Sequence, residues 1–364
     1  MSNQLDLFGG AKPADTNAGH VEVSSAQGKL RAAATALAAR GVFIGTSSWK
    51  YPGWCGLLYS AERYVSRGKF AETKFNRECL AEYADTFKSV CVDGAYYQFP
   101  SEKYLTGLAS QVSAEFKFSF KVTDEITLKQ FPQIARMGSR AGQLNPHFLD
   151  AELFIRNFLG PCESIRPNVG LLMFEFSRFH PMDFRHPDDF VAALDTFFGR
   201  LPKGWDFGVE LRNEEFLGRA YLEVLRKHGV AHVFNSWDAM PAVDEQLGKI
   251  GDALEGVHLG ARFLLKPGRS YQKAVEKFSP YAKVLEVYEQ GRSAAAALIE
   301  LALRKKSRLY LYGNNRLEGC SPLTLLAVSE RLPKEVWGTS LEFDLANSDT
   351  LHGIGSSPTC QNTK

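Results

Sequence analysis

Val169-Gly170-Leu171-Leu172-Met173-Phe174-Glu175 is an apolar run that stops on a carboxylate. A buried strand cannot carry an unpaired charge cheaply, so Glu175 belongs where the strand leaves the core. The same event recurs along the chain. Val42-Phe43-Ile44-Gly45 runs into Ser47 and Trp49, and Phe87 to Val92 runs into Asp93. Phe116 to Phe120 ends at Lys121, and Phe207-Gly208-Val209 ends at Glu210, with Arg212 just beyond. Leu309-Tyr310-Leu311-Tyr312 ends at Gly313-Asn314-Asn315. Such groups must converge somewhere polar, and in a parallel barrel that place is the mouth at the carboxyl ends of the strands.

Two further apolar runs, Val230 to Phe234 and Val257 to Leu265, complete a set of eight strand candidates: 42–46, 87–93, 116–121, 169–174, 206–210, 230–235, 257–265 and 308–312. Helical patterns lie between them. Phe70, Phe75, Leu80, Tyr83 and Phe87 form one helical stripe. Asn145-Pro146 opens a helix through Leu159, and Pro187 to Leu201 is another. Glu214 to His228 is stopped by Gly229. Tyr271 to Lys306 holds one or two helices, interrupted near Ser279-Pro280 and Gly291, and Ser321-Pro322 opens the last, through Leu332. Strands alternating with helices in this number predict a single α/β domain over 42–345, a (β/α)8 TIM-like barrel. The rival is a doubly wound open sheet. Gly45-Thr46-Ser47-Ser48-Trp49 is no G-x-G-x-x-G loop, which favours the barrel. Residues 1–41 read as a flexible arm with a short helix over Gly28 to Ala39, and 346–364 as a disordered tail.

The totals narrow the function classes. The 364 residues are 45% hydrophobic and 23% charged, an ordinary globular balance with room for a sizeable core. Lys+Arg 43 against Asp+Glu 41 leaves a net charge of +2, so binding of nucleic acid by bulk charge is excluded while a local basic face is not. Cys55, Cys79, Cys91, Cys162, Cys320 and Cys360 form no C-x-x-C pair and read as core thiols in a reducing compartment. There is no apolar run of membrane-spanning length and no basic, apolar leader at Met1, so the expected location is cytoplasmic, with no membrane partner.

Gly45-Thr46-Ser47-Ser48-Trp49-Lys50-Tyr51-Pro52-Gly53-Trp54, followed by Tyr59, resembles the opening motif of the YecE-like family, a domain-of-unknown-function group. Val92-Asp93-Gly94-Ala95-Tyr96-Tyr97-Gln98-Phe99-Pro100 resembles its second-strand block, and Phe118-Ser119-Phe120-Lys121-Val122 with Ile126-Thr127 its third. Val209-Glu210-Leu211-Arg212 resembles its E-x-R block, and Asn314-Asn315-Arg316-Leu317-Glu318-Gly319 with Pro322 its last. The resemblance implies a TIM-like barrel; no reaction is established for the family, so it implies none. The chain departs from the pattern at Cys91, usually Glu, at Asp93, usually Asn, at Leu128, usually His, and at Glu175-Phe176-Ser177, usually Gln-Leu-Pro. Those changes move charge around the pocket.

The candidate catalytic residues are Glu210, Lys121, Glu175 and Asp93. Two carboxylates in different surroundings serve as general acid and base. Three can hold a divalent cation, so Mg²⁺ or Mn²⁺ is allowed, although no cofactor is certain. Lys121, neighboured by apolar strands, suits a base or a Schiff-base amine. Arg212 with Asn314 and Asn315 suits a phosphate or carboxylate clamp, Trp49 and Tyr97 suit stacking of a base or sugar, and Ser47 completes the binding set. Against this stands a satisfied ion network, since Glu210 and Arg212 lie two apart on one face of a strand. His232 and His258 read as core residues, Trp54 as packing, and Arg304-Lys305-Lys306 with Arg308 as helix-end charge.

Gln4-Leu5-Asp6-Leu7-Phe8 resembles the short peptide by which many bacterial replication and repair proteins bind the DNA sliding clamp. Leu7 and Phe8 would be the apolar anchors and Gln4 the hydrogen-bonding group. Three readings remain open: an enzyme of DNA or RNA maintenance recruited by the clamp, a small-molecule hydrolase or lyase on a sugar or sugar phosphate, and a non-catalytic binding barrel.

Overall fold

The computed structural model describes residues 20–254 and 256–337. Eight parallel strands close on themselves: β1 (Val42–Thr46), β2 (Ser89–Val92), β3 (Lys117–Lys121), β4 (Val169–Glu175), β5 (Asp206–Glu210), β6 (Ala231–Asn235), β7 (Leu259–Phe263) and β8 (Leu309–Gly313). Every strand pairs with its neighbour in sequence, and β1 pairs with both β8 and β2, so no sheet edge is left unpaired in the barrel. The (β/α)8 barrel read from the sequence is the observed fold.

The strands are buried from end to end because helices cover the outside while side chains fill the lumen. Phe43, Cys91, Leu171, Met173, Ala231, Val233, Tyr310 and Tyr312 form one cluster separate from the main hydrophobic core, and it packs the barrel interior. Gly208 and Gly260 make room for it: a Cβ at either would come within 2.9 Å and 2.8 Å of the Val233 side chain. Among these, the Tyr312 hydroxyl lies 2.6 Å from both Ser89 Oγ and Ser119 Oγ, so these polar groups in the lumen satisfy one another.

Helix boundaries follow local chemistry. Pro187 sits in the first turn of Pro187–Arg200, and His186 caps it, its ring nitrogen accepting from Asp188 N–H while Asp189 accepts from His186 N–H. Gly229, at φ +68°, ends Arg219–His228 in the left-handed conformation. The expected helix from Asn145 to Leu159 starts later, at Ala151, with Asp150 as its cap. Asn145 instead donates from Nδ2 to the carbonyls of Glu125 and Leu128, tying a loop shut. The stretch from Tyr271 to Lys306 is two helices, Tyr271–Phe278 and Glu289–Lys305, and the break lies wholly before Gly291. The first helix runs His20–Ala38 rather than from Gly28, and buries Leu30, Ala33, Ala34 and Leu37 against the core. Residues 4–8 and 346–364 lie outside the described residues. Cys55, Cys79, Cys91, Cys162 and Cys320 are free thiols, and all but Cys55 are buried.

The last-strand block is architecture. Asn314 Oδ1 accepts from Arg316 N–H and caps the short helix Asn315–Glu318. Asn315 Oδ1 accepts from the backbone and hydroxyl of Ser321. The fully buried Glu318 carboxylate accepts from Tyr288 N–H, from Thr324 Oγ1 and, in a two-pronged pair, from Arg292. Removing such an acceptor strands a buried guanidinium, which costs about 3 kcal/mol. Glu318→Ala therefore lowers unfolding stability by about that amount in urea titration, and Glu318→Gln, whose amide still accepts, by less; an unchanged midpoint for Glu318→Ala contradicts this role.

Candidate functional site

The residues at the carboxyl ends of β2, β3, β4, β5 and β7 do converge. Because strand side chains alternate with period two, Asp93, Lys121, Glu175, Glu210 and Arg262 stand two residues beyond Cys91, Ser119, Met173, Gly208 and Gly260, and so continue the lumen upward. Glu175 and Glu210 are register partners on adjacent strands, two carboxylates side by side that need cations between them.

Three cations supply this. Arg262 Nη1 lies 2.7 Å from Glu175 Oε2 and 2.9 Å from Glu210 Oε2, and its Nη2 lies 3.3 Å from Asp93 Oδ1. Arg212 Nη2 lies 3.0 Å from Glu175 Oε2 and 2.7 Å from Glu210 Oε1. Lys121 Nζ lies 3.0 Å from Glu175 Oε2 and 3.6 Å from the centroid of the Tyr96 ring. Three carboxylates thus face three cations. Burial would raise the Glu175 carboxyl, yet Lys121, Arg212 and Arg262 together hold it well below the usual carboxylate range. The same burial opposes the Arg262 charge, and Glu210 first, then Asp93, hold it well above the ordinary arginine value.

A second layer fixes the first. Asn235, at the end of β6, accepts from Arg212 Nη1 at 3.3 Å and donates to the Leu211 carbonyl at 2.9 Å. Gln246 bonds the backbone of Asn235 in turn, its Nε2 donating to the carbonyl at 2.7 Å. The Trp237 ring lies 4.3 Å from the Arg212 guanidinium. With its donors directed and one face covered, Arg212 holds a single orientation.

The sequence placed Asp93, Lys121, Glu175, Glu210 and Arg212 here, and the structure brings all five together. It also revises their chemistry. Glu175 and Glu210 are engaged by cations, and no group of three His, Cys, Asp or Glu among the described residues is placed to hold a metal. An ionised Glu175 is no general acid. Several binding candidates are elsewhere. Trp49 is 5% exposed within the hydrophobic core and offers no face for stacking. Ser47 is buried and bonds the Gly313 carbonyl through N–H and hydroxyl, and Asn314 and Asn315 serve the turn described above. Tyr97 is 53% exposed, with the Arg136 guanidinium 4.9 Å from its ring. His232 is fully buried against the Tyr221 hydroxyl, and burial drives its pKa down to about 3, as suits a neutral core histidine. Trp54 packs between Tyr51 and Tyr59. The departures Cys91 and Leu128 are both buried; burial pushes the Cys91 thiol well up, and Leu128 packs with Phe131 and Met137.

Arg262 and Asn235 were missed. The signal for Arg262 was present: a charge inside the apolar run Val257 to Leu265 marks the end of a strand, not its middle.

A carboxylate whose folded pKa is depressed contributes stability that is fully present above its unfolded value, about 4.3, and is lost as pH falls toward the folded value. The wild-type melting temperature therefore falls below about pH 4.3 through Glu175, and Glu175→Gln is less stable at pH 7 with a flatter acid limb. Parallel wild-type and Glu175→Gln curves from neutral to acid pH would show that the carboxylate is not held this way.

Comparison with known proteins places the molecule. Residues 43–344 match the family model described as protein of unknown function DUF72. A DUF72 family protein of Thermotoga maritima is 18% identical, covers 79% of this chain and 98% of its own, and superposes with a TM-score of 0.50. One from Enterococcus faecalis is 15% identical over 79% of this chain and 96% of its own, at 0.49. No curated protein matches. No helix among the described residues is long and apolar enough to cross a membrane. The family model spans most of the chain and takes in the whole closed barrel, so this chain belongs to the DUF72 family.

Proposed function

We propose that the barrel mouth is the working centre of an enzyme of DNA or RNA maintenance, acting on a phosphodiester, a base or a sugar. The observation that carries this is the division within the ionic cluster. The side chains of Lys121, Glu175, Glu210, Arg212 and Arg262 are each 12% exposed or less, whereas Asp93 is 41% exposed and touches the cluster through one contact. Asp93 is the carboxylate free to meet a ligand. Lys121 is held between Glu175 Oε2 and the Tyr96 ring. Glu175, Glu210, Arg212 and Arg262 act as a fixed array of charge that needs no reorganisation when a substrate arrives.

The rim supports a nucleic-acid ligand. Tyr97 and Tyr271 are 53% and 40% exposed, and each has a guanidinium near its ring, Arg136 at 4.9 Å and Arg316 at 4.6 Å. Arg136 also pairs with Asp124 at 2.7 Å, which fixes it in place. Open aromatic faces backed by arginine suit stacking of unpaired bases. In the same reading Gln4-Leu5-Asp6-Leu7-Phe8 tethers the enzyme to a bacterial sliding clamp.

A second reading rests on the balance of three carboxylates against three cations: a sealed network that only stabilises a binding barrel. The two differ at Asp93. Fluorescence polarisation with a single-stranded oligonucleotide is expected to show salt-dependent binding, weakened by about tenfold in Tyr97→Ala. Asp93→Asn is expected to keep binding and melting temperature while losing turnover. No salt-dependent binding sinks the nucleic-acid reading, and an Asp93→Asn variant that loses stability but not turnover favours the sealed network. Leu7→Ala/Phe8→Ala in the full chain is expected to abolish clamp binding that Asp93→Asn retains; equal binding by both removes the arm from the account.

A further inference from the structure

Beside the mouth, the loops that follow β3 and β4 enclose a cavity of about 320 Å³. None of the six charged groups of the mouth lines it. Its size falls within the range of small-molecule sites.

Both walls are held by hydrogen bonds rather than left as free loops. On the β3 side, Phe131 N–H donates to the Gln143 carbonyl at 2.9 Å and Gly142 N–H donates to the Phe131 carbonyl at 2.8 Å, a short ladder beside the bridge between Gln130 and Leu144. On the β4 side, Asn213 grips Phe179 by both amide atoms, accepting from its N–H at 2.7 Å and donating to its carbonyl at 3.3 Å. The cavity is therefore preformed, and Asn213, next to Arg212, ties its wall to the mouth.

Thr127 is fully buried, and its hydroxyl has no hydrogen-bond partner among the described residues. That hydroxyl is closed off from the open volume of the cavity, so the groups a ligand meets are the charged ones. Lys129 contacts the Phe184 and Phe148 rings, at 4.0 Å and 5.5 Å, and Arg178 stands on the opposite wall; neither has an ion pair among the described residues. The lining carboxylate, Asp183, accepts from His180 N–H through Oδ2 at 2.7 Å, so the lining sets two cations against one carboxylate. His180 Nδ1 accepts from Met182 N–H at 3.2 Å, which places the neutral ring's proton on Nε2 as a further donor. Phe131 and Phe179 supply apolar wall.

We propose that this cavity is a second ligand site, distinct from the mouth, for a small organic phosphate whose anionic head meets Lys129 and Arg178 while its apolar body lies against Phe131 and Phe179. Two cations against the one lining carboxylate, beside an aromatic wall, make a site that is electropositive at one end and apolar at the other. That pairing of features selects an amphiphilic anion over a neutral sugar or a bare cation.

The test is calorimetric titration of the full chain with phenyl phosphate and, separately, with inorganic phosphate. Saturable binding of phenyl phosphate, several-fold tighter than inorganic phosphate, is expected. Arg178→Ala and Lys129→Met should each weaken it by about tenfold. Melting temperatures confirm that each variant folds. Asp93→Asn should bind phenyl phosphate as the wild type does. No saturable binding up to millimolar probe, unchanged binding in the Arg178→Ala/Lys129→Met double variant, or loss of binding in Asp93→Asn alone would each overturn the assignment.

Discussion

A guanidinium buried across the top of the barrel lumen has to be matched by carboxylates, and the rest of the mouth follows from that requirement. Arg262 is 4% exposed at its side chain and reaches three strands at once, through Asp93 on β2, Glu175 on β4 and Glu210 on β5. The attraction in such a place repays desolvation only when every lone pair and proton is directed. Direction comes from the strand register. Glu175 stands beside Glu210, and Asn235 stands beside Arg262. A slip of one residue in any of these strands would turn its charged side chain away from the lumen and leave its partners uncompensated. The network and the barrel therefore specify one another.

The same geometry divides labour at the mouth. Below the charges, an apolar plug closes the lumen, with tyrosine and serine hydroxyls bonded to one another inside it, so the network sits on a water-poor floor. Above them, Asp93 alone is substantially open, with Tyr96 and Tyr97 following it in a short helical turn. Charges fixed by mutual pairing give a strong and oriented local field with little net charge, which suits stabilising charge that moves during a reaction more than holding a static ion. Asn213 extends this order sideways, since it follows Arg212 in sequence and clamps the wall of the neighbouring cavity.

The barrel was legible because eight apolar runs each ended on polar residues, a pattern produced directly by strands that are buried along their length and open only at one end. Five of the six network residues were legible for the same reason. Arg262 carried a weaker signal, because the apolar run continues past the strand and hides where it stops; Leu264 and Leu265 are buried after the ladder, which reaches Phe263, has ended. The family blocks were harder to sort. The first and last are long and rich in aromatic and amide groups, which reads as a binding surface. Their side chains instead serve packing and caps: Trp49 and Trp54 in the core, Asn314 and Asn315 in a turn, Glu318 on Arg292. An amide that bonds a ligand and one that bonds its own backbone look alike until the loop path is known. The cavity between the β3 and β4 loops had no sequence signal at all, since it depends on two loops meeting.

Arg262 and Glu210 are held in place by charge balance, and a double-mutant cycle reads that coupling out. Arg262→Met leaves three carboxylates against two cations, Glu210→Met leaves two against three, and the double variant restores two against two. Unfolding in urea at neutral pH gives the three stabilities. The account predicts that each single variant loses about 3–5 kcal/mol and that the double variant loses less than the sum by at least about 1 kcal/mol. Additive losses would contradict it, for they would mean that the two residues stabilise the barrel independently and that the balance of charge at the mouth is incidental.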